Sequence, residues 1–82
     1  MPTVLRIGGL RVVIYSNDHR PAHVHVIGQG GEAAFILHCP GGPPKLRESY
    51  RFDRRELARI KNALEIELAT LCSEWRKIHG YF

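Results

Sequence analysis

A change in hydrophobic periodicity at Asp53 is the feature that most restricts the fold of this chain. Before Asp53, apolar and polar residues alternate in short segments separated by glycine and proline, which is typical of β-strands. After it, apolar residues recur every three or four positions, which indicates an amphipathic helix. This helical stripe consists of Leu57, Ile60, Leu64, Leu68, Leu71, Trp75 and Ile78. The 82 residues are therefore expected to form a single α+β domain, with strands and turns in 1–52 and a helix in 53–79.

The helical part has clear signals at both ends. Asp53 and Glu56 have the spacing of an N-terminal capping box, and Gly80 is a natural C-terminal stop. These signals predict one long helix that lies across one face of a small antiparallel sheet. Packing of the stripe on that sheet is favoured, because the sheet has an apolar face to cover. The heptad-like spacing of the stripe leaves a homodimer through the helix as the alternative.

Two β-hairpins are predicted in the first part of the chain, one turning at Gly8 and Gly9 and one turning at residues 28–31. Pairing Ile7 with Leu10, and Ile27 with Glu32, decides which side chains share a face. A short fifth strand is predicted within residues 45–52. The residues assigned to the core face are Leu5, Ile7, Leu10, Val12, Ile14, Val24, Val26, Ala33, Phe35 and Leu37.

Two histidines, His23 and His25, alternate with the core residues of one strand and are therefore expected on its opposite face. An H-x-H pair on a strand separates two imidazoles by roughly 6–7 Å, which allows both to reach one metal ion. Zinc takes three or four nitrogen, sulfur or oxygen ligands, and two further residues with matching parity lie on the next strand. The predicted ligands of a divalent metal such as zinc are His23, His25, His38 and Glu32.

The same histidines are candidates for acid–base catalysis, because paired neutral imidazoles exchange protons near neutral pH. His23 and His25, with His19 from the preceding loop that also contains Asp18, form the predicted catalytic set. The alternative is that they are ordinary polar residues on a solvent-facing strand. His79 lies near the helix end, where a cation is favoured by the helix dipole.

Positive charge is concentrated in one part of the chain. The net charge is +4, and residues 45–61 hold seven Lys or Arg against three Asp or Glu. Such a segment is expected to contact RNA or an acidic protein, and the alternative is a solvated helix face. The predicted binding residues are Arg20, Arg47, Arg51, Arg54, Arg55 and Arg59.

Other features exclude some classes of protein. No apolar run approaches the 18 residues that a membrane span requires, and the N-terminal residues lack the pattern of a signal peptide. The cysteines, Cys39 and Cys72, form no C-x-x-C motif. These observations predict a cytoplasmic protein with reduced thiols, in which Cys72 is a small packing residue, and a disulfide between the two cysteines is the alternative.

Three segments of the sequence resemble a known family. They are Met1-Pro2-Thr3, residues 18–25 with the sequence DHRPAHVH, and the helix onset Arg54-Arg55-Glu56-Leu57. Together they are similar to the small bacterial family called domain of unknown function 4160, whose members share an H-x-P-x-H-x-H type of segment. The chain departs from the family pattern at Ala22, where many members have a second proline.

The resemblance implies a partner. Members of this family are often encoded beside another small protein, in an arrangement that looks like a toxin–antitoxin pair. We therefore expect an interaction module that binds an acidic partner protein encoded nearby, or RNA, and no membrane. The alternative is a toxin-type enzyme whose histidine face cleaves RNA or hydrolyses another phosphoester, with or without a metal.

Overall fold

The computed structural model describes residues 3–82 and confirms the α+β class. Met1 and Pro2, which open the predicted family motif, lie outside the described residues. The chain forms five strands and then two helices. Their bounds are β1 Thr3–Ile7, β2 Leu10–Val13, β3 His23–Gly28, β4 Gly31–Ile36, β5 Lys45–Tyr50, α1 Arg54–Ile66 and α2 Leu68–His79.

The five strands form one antiparallel meander in the order β1-β2-β3-β4-β5. Both predicted hairpins are confirmed, because Ile7 pairs with Leu10 and Ile27 pairs with Glu32. The predicted fifth strand is also confirmed, and β5 pairs with β4 at one edge of the sheet. Every strand is therefore next to its sequence neighbour. Short glycine-containing turns join β1 to β2 and β3 to β4, and the longer segments 14–22 and 37–44 make the other two connections.

The core lies between one face of the sheet and the helices. Most residues assigned to that face are fully or almost fully buried, and Leu5, Ile7 and Leu10 pack against them while half-buried. The other face of the sheet is not simply solvent-exposed, because Val13 and Ala34 are also buried there. The confirmed buried members of the predicted core are Val12, Ile14, Val24, Val26, Ala33, Phe35 and Leu37.

The prediction of one long helix is wrong, because the helix breaks at Glu67 into α1 and α2. The capping box at its start is confirmed, with Asp53 and Glu56 side chains each accepting a hydrogen bond from the other's backbone N–H. A straight helix over the predicted 27 residues would be about 40 Å long. The molecule measures only 33 Å along its longest axis, and both α1 and α2 contribute buried residues to the core.

The helical stripe packs within the chain, as favoured from the sequence. Four of its residues are buried, Leu57 and Leu68 pack half-buried against the core, and Ile78 alone among the seven is exposed. Homodimerisation through the helix stays a prediction. Within the described residues, neither helix has the length and apolar composition to cross a membrane. The buried stripe residues are Ile60, Leu64, Leu71 and Trp75.

The prediction of two reduced thiols is corrected by the structure, in which Cys39 and Cys72 form a disulfide with their Cα atoms 5.7 Å apart. The loop after β4 returns over α2 and brings Cys39 against it. The 33-residue separation in sequence did not reveal this contact, because it depends on the path of that loop. Cys72 is buried in the core, so its predicted packing role is retained.

Candidate functional site

The candidate site is built on β3 and on the loop that precedes it. His25 is paired with Val13 of β2 and with Ala34 of β4, so small or apolar neighbours flank it on both sides. The loop turns back through Asp18, whose backbone N–H donates to the Tyr15 carbonyl at 3.1 Å. The Tyr15 N–H in turn donates to Asp18 Oδ2 at 3.1 Å. This paired bonding holds the Asp18 carboxylate in a defined position.

Asp18, His23 and His25 converge, and we call these three residues the Asp–His–His cluster. Asp18 Oδ2 lies 3.5 Å from His23 Nε2 and 3.5 Å from His25 Nε2. One side-chain ligand atom of each residue lies within 4.8 Å of the other two. The two histidines that strand parity predicted together are thus joined by a carboxylate from the loop.

His23 is only 5% exposed, so the alternative of ordinary polar residues on a solvent-facing strand does not hold for it. Its Nδ1 lies 2.8 Å from the Pro21 carbonyl, and because a carbonyl only accepts, Nδ1 carries the hydrogen. The ring packs 5.3 Å from the ring of Trp75, between centroids. Trp75, near the C-terminal end of α2, therefore packs against His23 and helps to bury it.

His79 also packs at this end of α2. Its ring centroid lies 4.0 Å from that of Trp75, and its Nε2–H donates to the Tyr15 carbonyl at 3.2 Å. His79 does lie in the last turn of α2, where the sequence predicted a favourable cation. The structure adds a second role, because the hydrogen bond ties the end of α2 to the turn that carries Asp18.

His25 keeps more solvent contact, with a side chain that is 20% exposed. Its Nδ1 lies 3.7 Å from Glu32 Oε2, and its ring centroid lies 5.1 Å from that of Tyr15. Its Nε2 is buried and has no hydrogen-bond partner within residues 3–82. This nitrogen is aimed at the Asp18 carboxylate and is available for another ligand.

The structure brings together only part of the predicted metal-ligand set. His38 does not join the cluster, because β4 ends at Ile36 and the exposed His38 adopts a φ of 54° outside the sheet, with Nδ1 2.9 Å from the Pro43 carbonyl. Strand parity therefore no longer applies at His38. Glu32 does approach His25, but at Nδ1 and not at the nitrogen that faces Asp18.

The predicted catalytic residue His19 is exposed and lies outside the cluster. Its neighbour Asp18, which was not in the predicted sets, is the loop residue that joins the two histidines. A local signal favoured Asp18 over its neighbour. Aspartate in a turn commonly bonds to the backbone of that turn, and this contact fixes its side chain.

The predicted binding residues occupy two places. Arg47, Arg51, Arg54, Arg55 and Arg59 follow one another along β5 and the first turns of α1, and all are exposed. Arg20 instead lies in the loop before β3, with its guanidinium 4.4 Å from the ring centroid of Tyr81. We call residues 45–59 the basic edge.

The fold and the cluster can now be set beside known families. The model of the family described as "Domain of unknown function (DUF4160)" matches residues 9–76. The chain belongs to this family. None of the curated proteins and none of the solved structures compared with the chain matches it. The DUF4160 match includes the whole Asp–His–His cluster and both cysteines, while the H-x-P-x-H-x-H pattern as a family feature stays a prediction.

Proposed function

We propose that this DUF4160 protein is an interaction module of a two-protein, toxin–antitoxin-like system, and that its basic edge binds an acidic partner protein. The observation that carries the proposal is the exposure of β5, all six residues of which are exposed although the strand is paired with β4. An edge strand has a row of backbone groups that no strand of its own sheet satisfies. A partner segment can add to such an edge as a further strand.

The charge of the edge favours an acidic segment as the added strand. Lys45, Arg47 and Arg51 flank or occupy β5, and the first turn of α1 adds Arg54 and Arg55. Acidic side chains on an added strand would lie near these cations, which speeds association and selects the partner. Exposed Tyr50, with the Arg51 guanidinium 5.3 Å from its ring centroid, adds an aromatic contact surface of the type common at interfaces.

A simpler explanation of the cations makes a different prediction. Charged residues on an edge strand also prevent unwanted pairing between identical sheets. If that were their whole role, reversing one charge would leave partner binding unchanged. The two explanations are separated by measuring affinity.

Arg47→Glu is expected to weaken binding of the partner, which is taken as the co-purifying product of the neighbouring gene. We expect an affinity loss of about tenfold or more, equivalent to about 1.4 kcal/mol. Arg6→Glu is the matched control, because Arg6 is an exposed arginine on the opposite edge strand. Calorimetry at low and high salt is the measurement, and wild-type binding should weaken as salt rises.

Equal affinities for the Arg47→Glu and Arg6→Glu proteins would refute the basic edge as the interface. A different result would replace the acidic partner with RNA. In that case no partner co-purifies, and the protein binds single-stranded RNA with an affinity that falls steeply with salt.

A second candidate function is phosphoester hydrolysis at the Asp–His–His cluster. It is favoured by the convergence of two imidazoles on one carboxylate, an arrangement that orients a histidine for proton transfer. The limited exposure of His25 leaves it more accessible than His23 to a substrate. Under this proposal His25 acts on the substrate, while His23 and Asp18 position it.

His25→Ala is expected to abolish RNA cleavage if the protein is such an enzyme, with a loss on the order of 100-fold or more from one proton-transfer group. The assay follows cleavage of labelled RNA by purified protein, with His38→Ala as the control because His38 is exposed and outside the cluster. Absence of cleavage by the wild type, or equal rates for wild type and His25→Ala, would eliminate this candidate.

A further inference from the structure

The geometry points to a binding site for a divalent transition metal of the zinc class, with Asp18 Oδ2, His23 Nε2 and His25 Nε2 as its ligands. This inference goes beyond both proposed functions and does not depend on the partner or substrate. It differs from the set expected from the sequence, because Asp18 takes the place of His38 and Glu32 is not a direct ligand.

Hydrogen bonding around His23 is the first argument. Since Nδ1–H donates to the Pro21 carbonyl, the neutral ring presents the lone pair of Nε2 to Asp18. The Asp18 carboxylate is also an acceptor, so these two atoms form no hydrogen bond with each other in that state, and a cation between them would satisfy both. A proton would draw them to about 2.7–2.9 Å, the usual length of a charge-assisted hydrogen bond. The observed separation of 3.5 Å is longer than that.

His25 Nε2 supplies the second, independent argument. It is buried without a hydrogen-bond partner in the described part of the chain, and it lies 3.5 Å from the same Asp18 oxygen. A buried polar nitrogen that is left unpaired costs about 1–3 kcal/mol. A metal bound to Nε2 would remove this penalty and would satisfy the His23 lone pair as well.

The two distances from the Asp18 carboxylate to the imidazoles match the coordination of zinc, and all three ligand atoms lie within 4.8 Å of one another. With bonds of about 2.0–2.1 Å, two ligands of a tetrahedral zinc ion lie roughly 3.4 Å apart. Both carboxylate–imidazole distances are 3.5 Å. Magnesium prefers six oxygen ligands and keeps several waters, so a site with two imidazoles favours zinc or a neighbouring first-row metal. Three protein ligands leave a fourth position for water or for a ligand atom of a partner.

The surroundings of the histidines resemble the outer shell of a metal site. In such sites the second ring nitrogen of a ligating histidine usually donates to a carbonyl or a carboxylate. His23 Nδ1 faces the Pro21 carbonyl at 2.8 Å, and His25 Nδ1 faces Glu32 Oε2 at 3.7 Å. Both Nε2 atoms are thereby directed toward Asp18. We assign Glu32 a positioning role for His25, through an ion pair and not a hydrogen bond.

The test is titration of the full-length protein, purified without an affinity tag, with ZnCl2. We expect one zinc per chain by calorimetry, and Co²⁺ in its place should show the strong visible absorption of tetrahedral coordination. His25→Gln and Asp18→Asn should lose stoichiometric binding. Glu32→Gln should weaken it by about 10- to 100-fold, as outer-shell changes do. Asp18→Asn retains a side-chain oxygen that can accept the hydrogen bond from the Tyr15 N–H.

Matched controls keep the result specific. His19→Gln and His38→Gln remove exposed histidines outside the cluster and should bind zinc like the wild type. Zinc should also raise the Tm of the wild type and not that of His25→Gln, because a ligand stabilises only the state that binds it. The proposal is overturned if the wild type binds no stoichiometric zinc, or if His38→Gln loses as much affinity as His25→Gln. Since Glu32 is exposed, Glu32→Gln tests the site even if a buried variant fails to fold.

Discussion

Trp75→Ala is expected to lower the free energy of unfolding by about 3–5 kcal/mol, the usual cost of removing a buried tryptophan. Trp75 is fully buried and belongs to the core cluster. An 82-residue domain has a total stability of about 4–12 kcal/mol, so the variant loses a large part of it. Equilibrium denaturation followed by far-UV circular dichroism measures the effect.

Two controls identify the cause of that loss. Ile66 is 81% exposed at the end of α1, so Ile66→Ala should change stability by no more than about 0.5 kcal/mol. Trp75→Phe should cost less than Trp75→Ala, because it keeps an aromatic ring and breaks no hydrogen bond of the Nε1 atom, which has none within residues 3–82. A loss for Trp75→Ala no larger than for Ile66→Ala would contradict the observed packing of α2 on the sheet.

Trp75 also connects stability to the candidate site. Its ring contacts His23 and His79, and His79 in turn bonds to the Tyr15 carbonyl in the turn that carries Asp18. Helix α2 therefore supports two residues of the Asp–His–His cluster, His23 directly and Asp18 through the Tyr15 turn. Cavity formation at Trp75 would loosen the cluster together with the core.

The sheet was predictable because its determinants are local. Pairing of Ile7 with Leu10, and of Ile27 with Glu32, follows from short glycine-containing turns, and each register then assigns every side chain to a face. The helix break at Glu67 was not predictable in this way. No glycine or proline lies near Glu67, so the sequence has no local signal for a helix end there.

The candidate site likewise contains a part that local sequence predicts and a part that depends on tertiary structure. His23 and His25 were predicted together because they belong to one strand and share its parity. Asp18 is brought to them by a loop, and Trp75 by a helix that follows all five strands, so their proximity depends on tertiary structure. His38 shows the opposite error, since parity was extended beyond the last residue of β4.

Reduction of the Cys39–Cys72 disulfide is expected to lower the free energy of unfolding by about 3–4 kcal/mol, the loop-closure estimate for a separation of this size. The bond closes 33 residues that include β5 and all of α1, so its loss frees a large part of the unfolded chain. The measurement compares denaturation of the wild type with and without a thiol reductant.

The double variant Cys39→Ala/Cys72→Ala separates the bond from side effects of the reductant, because its stability should not respond to that reagent. A wild type equally stable in both conditions would contradict the expected contribution of the bond. Such a result would mean that packing alone holds the loop after β4 against α2. The loop is closely packed there, because a Cβ added at Gly42 would lie only 2.6 Å from Leu68 Cδ2. A loss of unfolding free energy of the expected size would instead show that the disulfide is a main contribution to holding α2 in place. Cys72 lies one helical turn before Trp75, so the same bond would then hold the ring that covers His23.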